Sequence, residues 1–138
     1  MAAPLALELL PEALAVCRLA ADAPLPAWAG GPGLCSVTRT ADELSIICAA
    51  GRIPGGITTS AGWRALRLAG TFDLAEVGVL LRVAAPLAAA GVSLLPVGTW
   101  DTDYVLVREA QLEQAVEALQ RAGLEVRREA RREAGREG

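Results

Sequence analysis

Residues 92–107 read Val-Ser-Leu-Leu-Pro-Val-Gly-Thr-Trp-Asp-Thr-Asp-Tyr-Val-Leu-Val. Two runs of strand-forming residues flank a turn through Asp101, Thr102 and Asp103, which is the pattern of a β-hairpin. Pro96 has no N–H to donate, so the first strand, Val92–Thr99, belongs at the edge of its sheet. The second, Tyr104–Val107, is dense in strand formers.

Working outward, Trp63–Gly70 alternates apolar and basic residues, as a half-buried strand does. A helix follows. Asp73 is placed to cap its first amides, Glu76 stands three residues on as in a capping box, and Phe72 can staple onto Val77. Leu74, Val77, Leu81, Ala84 and Ala88 are expected to share its buried face, with Pro86 interrupting the ladder and Gly91 ending it. Beyond the hairpin, Glu109–Ala122 is a second amphipathic helix with Leu112, Ala115, Val116 and Leu119 inward. Gly123 stops it, and Leu124–Arg127 forms a last strand. The order β-α-β-β-α-β is that of a ferredoxin-like sandwich, in which the second strand lies at the edge that Pro96 requires.

The first 62 residues are poorer in helix. Leu5–Leu9 and Leu14–Leu19 read as strands, Pro24–Trp28 as one helical turn, and Cys35–Thr40 with Leu44–Cys48 as a strand pair. An ungapped shift of 60 residues lays Asp42-Glu43 on Thr102-Asp103 and Ile46-Ile47 on Leu106-Val107. The fold class expected is therefore α+β: two ferredoxin-like units in tandem, the first degenerate. Their expected bounds are 1–62 and 63–128. Gly51–Gly62 serves as the connection, and 129–138 is a solvated, charged tail rich in Arg and Glu.

Composition narrows the function. Histidine is absent, which removes the commonest general base and metal ligand. Cys17, Cys35 and Cys48 are widely spaced and form neither a zinc motif nor a disulfide framework. Cys17 and Cys48 read as buried free thiols, which fits a reducing cytoplasm. A net charge of −3 with 13 arginines and no lysine argues against a nucleic-acid surface. No signal peptide is apparent at the N-terminus. Val77–Val97 is apolar but contains Arg82, Pro86, Gly91 and Pro96, so it reads as helix then strand rather than as a membrane span. No nucleophile elbow, phosphate loop or metal cluster marks an enzyme; an enzyme would have to use Asp101 and Asp103, or Glu76, as its acid–base groups.

Several strings resemble a known family: Leu9-Leu10-Pro11, Leu14–Leu19, Ser36–Thr40, Glu43–Ile46, Gly62–Leu66 and Thr99–Val107. Together they resemble the tandem ACT-domain family of small bacterial proteins, itself similar to the eukaryotic cytosolic arginine sensors. The resemblance reaches to about Gly123. It implies ligand-binding regulation without catalysis and without a cofactor. It implies a free amino acid, basic ones among the candidates, held at an ACT–ACT interface, and a homodimer, with a protein partner as the output. Carried over by position, the ligand residues are Asp73, Glu76, Val77, Gly78 and Val79, with Thr99, Trp100 and Asp103.

The chemistry of these residues suits a zwitterion. Helix N-terminal amides take the carboxylate, Glu76 or Asp103 the ammonium, and Trp100 offers an apolar wall or a face for a cation. Each also has a plainer reading. Glu76 serves as a capping partner, Asp101 and Asp103 as turn residues, Gly78 as a packing contact, and Trp63 and Trp100 as core or interface aromatics. On those readings the chain is a ligand-free interaction or assembly module with a vestigial site.

Overall fold

The computed structural model describes residues 5–70 and 78–128. The chain divides into two compact units, one drawn from Met1–Pro11 with Arg64–Gly138 and the other from Glu12–Trp63.

In the Glu12–Trp63 unit, β2 (Leu14–Leu19), β3 (Ser36–Arg39), β4 (Leu44–Ala49) and the first part of β5 (Thr58–Leu68) are ordered β3-β4-β2-β5, each antiparallel to its neighbour. That is the ferredoxin-like strand order. Both crossover positions hold only short 3-10 turns, Ala27–Ala29 and Ala50–Arg52, where the other unit has helices. Cys17, Leu44, Ile46 and Cys48 form its core, closed over by Trp28, Ala29, Ile53 and Ile57. The connection expected through Gly62 is shorter than the sequence implied. Thr58, Thr59 and Ser60 already pair with Arg18, Cys17 and Val16, because short β-capable side chains suit a strand even in a Gly/Ser-rich stretch.

The other unit contains the last part of β5, α1 (Val79–Ala89), β6 (Leu94–Gly98), β7 (Asp103–Arg108), α2 (Leu112–Arg121) and β8 (Glu125–Arg127). It also contains β1 (Ala6–Leu9), although the expected boundary at residue 62 assigns this strand to the first unit. β1 lies between β5, antiparallel to it, and β8, parallel to it. Glu8 stands across from Arg67 on one side and Arg127 on the other, at 2.6 and 3.7 Å, while Leu7 and Leu9 enter the core. The placement is a long-range pairing, which local hydropathy does not encode.

β6 pairs only with β7 among the described strands, so Pro96 is at an edge. Both helices end alike. Val92 N–H donates to the Leu87 carbonyl and Gly91 N–H to Ala88; Leu124 donates to Leu119 and Gly123 to Gln120. These are paired Schellman closures with glycine in the left-handed position. Gln111 and Gln114 of the α2 region donate to the Gly91 and Ala90 carbonyls that α1 leaves open.

The buried face of α1 differs from expectation. Val83 and Leu87 are fully buried, with Val79 and Leu80 packed beside them, while Leu81 is 65% exposed and Ala88 is on the surface. The helix is counted from Val79 rather than from Leu74, and the apolar stripe turns with it. Among the described residues no helix is long and apolar enough to cross a membrane.

Candidate functional site

The β6–β7 turn is built by one threonine. Thr99 N–H and Oγ1–H both donate to the Thr102 carbonyl, at 3.0 and 2.8 Å, and Thr99 Oγ1 accepts from Thr102 N–H at 3.3 Å. The β3–β4 turn repeats the device. Thr40 N–H donates to the Glu43 carbonyl, and Thr40 Oγ1 accepts from Asp42 and Glu43 N–H. The two turns therefore superpose at a shift of 59 residues (40 onto 99) rather than 60. A one-residue correction matters in a strand, since it exchanges the two faces.

In the corrected register Leu44, Ile46 and Cys48 correspond to Asp103, Val105 and Val107. The first three line the core of one unit, and Val105 and Val107 line the core of the other. Asp103 thus occupies a core-facing slot that holds a fully buried leucine in the sister hairpin. It is half-buried, and its cross-strand neighbour is Gly98. A Cβ built on Gly98 would lie 3.3 Å from Asp103 Oδ1, so the glycine leaves room beside the carboxylate.

Thr102 fixes this turn to the rest of the unit. It is 4% exposed, the one buried polar side chain among the described residues, and its hydroxyl donates to the Leu68 carbonyl at 2.9 Å. Leu68 is the last residue of β5, so Asp103 stands at the end of the sheet from which the chain leaves toward α1.

Gly78 precedes α1 at φ +84, a conformation that non-glycine residues adopt only under strain. Among the described residues no heavy atom lies within 4 Å of a Cβ built there, so the demand seen at this position is conformational. The first intrahelical bond runs from Arg82 N–H to the Gly78 carbonyl, which leaves the amides of Val79, Leu80 and Leu81 without a partner inside the helix.

Of the eight residues expected at the site, Asp73, Glu76 and Val77 lie outside the described residues. Gly78 and Val79 begin α1; Thr99, Trp100 and Asp103 belong to the hairpin, with Thr99's hydroxyl committed to the turn and Trp100 78% exposed. Sequence reasoning passed over Gly98 and Thr102. The signal for them was the shared Thr-x-x of the two turns, read one residue out of register.

Comparisons with known proteins agree with this architecture. The ACT-domain model matches residues 58–121, and a second model, described as an N-terminal domain, matches residues 12–56. The crystal structure of protein Atu0741 from Agobacterium tumefaciens is 38% identical, covers 91% of this chain and 93% of its own, and superposes with a TM-score of 0.85. The chain belongs to the ACT-domain family. It is related to the cytosolic arginine sensors: the bovine protein named cytosolic arginine sensor for mTORC1 subunit 1 is 35% identical over 113 residues. That match takes in 71% of the ACT chain but 34% of the bovine one, so the chain spans about a third of its curated relative. The regulatory subunit of aspartate kinase from Thermus thermophilus shares the fold, at a TM-score of 0.62 and 10% identity over 87% of this chain and 99% of that one.

Proposed function

We propose that this ACT chain is a non-catalytic regulatory sensor whose ligand is a free amino acid, held between the start of α1 and the β6–β7 hairpin. The observation that carries the reading is Asp103, a carboxylate in a core-facing slot with a glycine across from it. It is the group to accept an ammonium as a charge-assisted hydrogen bond. The amides at the start of α1, on the chain that leaves the same end of the sheet, suit the ligand's carboxylate. Asp73, Glu76 and Val77, which directly precede α1 in the chain, are assigned to the same site, with Thr99 shaping the turn and Trp100 forming an outer wall.

Related proteins are named for arginine sensing, which makes L-arginine the first ligand to try. The reading also places the protein in the cytoplasm as a homodimer, with a second copy's ACT unit closing the site.

The test is a thermal-shift and calorimetric screen of the twenty amino acids. An amino acid at 100 times its Kd adds about 2.7 kcal/mol to stability. Binding by wild type that Asp103→Asn weakens at least tenfold is the expected result; no shift with any amino acid at millimolar concentration overturns the reading. The exposed Trp100 and Leu81 favour a second reading, a ligand-free interaction module, which that negative result would leave standing.

A further inference from the structure

Thr102 and its counterpart in the sister hairpin do different work. At the corrected shift Thr102 corresponds to Glu43, a side chain 44% exposed that reaches Arg18 at 4.0 Å. Arg18 in turn donates to the Asp42 carbonyl at 2.9 Å. That turn is tied to its neighbouring strand β2 by long, solvated side chains, which hold geometry loosely. In the ACT unit the tie is a buried hydroxyl bonded directly to the main chain of β5. The hydroxyl belongs to the residue immediately before Asp103, while the Thr102 carbonyl and amide are held by Thr99. All the polar groups of Thr102 are thereby used, and the Asp103 backbone inherits a fixed position relative to the end of β5. The sister hairpin is built without such a buried strut. A binding site does need one, because a carboxylate and a set of amides must hold a constant spacing to meet both ends of one small molecule.

We propose that Thr102 is the positioning residue of the amino-acid site: its bond to the Leu68 carbonyl fixes the Asp103 carboxylate against the end of β5. This rests on the reading of the preceding subsection. The probe is L-arginine, or whichever of the twenty amino acids raises the melting temperature of wild type most.

Three variants are compared by calorimetry well below their melting temperatures. Thr102→Val keeps the shape and removes the donor, Thr102→Ser keeps the donor, and Val116→Ala lowers stability from the α2 side of the same core. Thr102→Val is expected to weaken binding about tenfold, the scale of one lost buried hydrogen bond. Thr102→Ser is expected to stay within about threefold of wild type, and Val116→Ala to bind as wild type despite its lower melting temperature. Wild-type affinity in Thr102→Val, failure of Ser to rescue, or an equal loss in Val116→Ala overturns the assignment. Wild type binding none of the twenty is a different outcome: it removes the proposed function itself, and this assignment with it.

Discussion

At position 103 the ACT unit puts a carboxylate where its sister hairpin buries Leu44. Apolar area that leucine would remove from water stays unclaimed there, and the acid must keep contact with solvent or a cation. Asp103→Leu is therefore expected to raise stability by about 1 kcal/mol, roughly 3 to 5 °C in Tm, while abolishing amino-acid binding. Differential scanning calorimetry beside the binding screen checks both halves; a destabilised Leu variant would show that the slot is not core-like. The cysteines behave in the opposite sense. Burial, with a smaller contribution from Cys48, pushes the Cys17 thiol above its ordinary value of 9.0. Burial, then Cys35, pushes Cys48 the same way against the lowering effect of Arg52. A pKa raised in the folded state means that the native protein holds its protons longer than the unfolded chain. The stability from these thiols is thus complete below pH 9.0 and lost as pH rises beyond it. Urea titrations across that range should show the decline, and the Cys17→Ala/Cys48→Ala pair should flatten it. A thiol reagent at neutral pH should label Cys35 alone in the native protein and all three after unfolding.

Among the elements, those whose cause is local were legible in the sequence. Pro96 places β6 at an edge, glycines 91 and 123 stop two helices with the same hydrogen-bond closure, and Leu112, Ala115, Val116 and Leu119 define the inner face of α2. Elements whose cause is tertiary were not. The stripe on α1 depends on where the helix starts, and Leu81 falls outside once Val79 is its first residue. The start of β5 at Thr58 depends on β2 lying beside polar residues that alone read as a linker. The candidate site was half legible for the same reason. Asp103 stands out as an acid beside a strand, but its direction follows from the register of two turns, which only their shared threonine bonds reveal. Pro96 itself has a consequence that can be measured. Replacing it by Val restores an N–H and a β-branched side chain to an open edge, the arrangement that invites edge-to-edge pairing. Pro96→Val should raise the apparent mass in sedimentation at high protein concentration relative to wild type; an unchanged mass would mean that something other than Pro96 guards the edge.

For the whole molecule, the consequential fact is that the N-terminal strand completes the C-terminal unit. In the four-stranded ferredoxin-like order β8 would lie against β5; here β1 stands between them and bonds to both. Leu7 is fully buried in that unit's core, and Glu8 stands opposite an arginine on each flanking strand. The residues matching the ACT model, 58–121, include neither β1 nor β8. They leave Leu66 and Leu68 of β5 without the strand that covers their flank. A chain lacking residues 1–11 retains every residue that the two family models match and is nevertheless expected not to fold cooperatively, since β5 and β8 are too far apart to pair without β1. Leu7→Ala in the full chain is expected to cost about 2 to 5 kcal/mol, as for other fully buried leucines. Glu8→Arg would set three like charges side by side and is expected to destabilise further than Glu8→Gln, which only removes the attraction. Chemical denaturation of the four variants gives the ranking. A truncated chain that melts as sharply as wild type would show the ACT unit to be complete without its borrowed strand. An unfolded one that regains structure when a peptide of residues 1–11 is added would assign the loss to β1 itself.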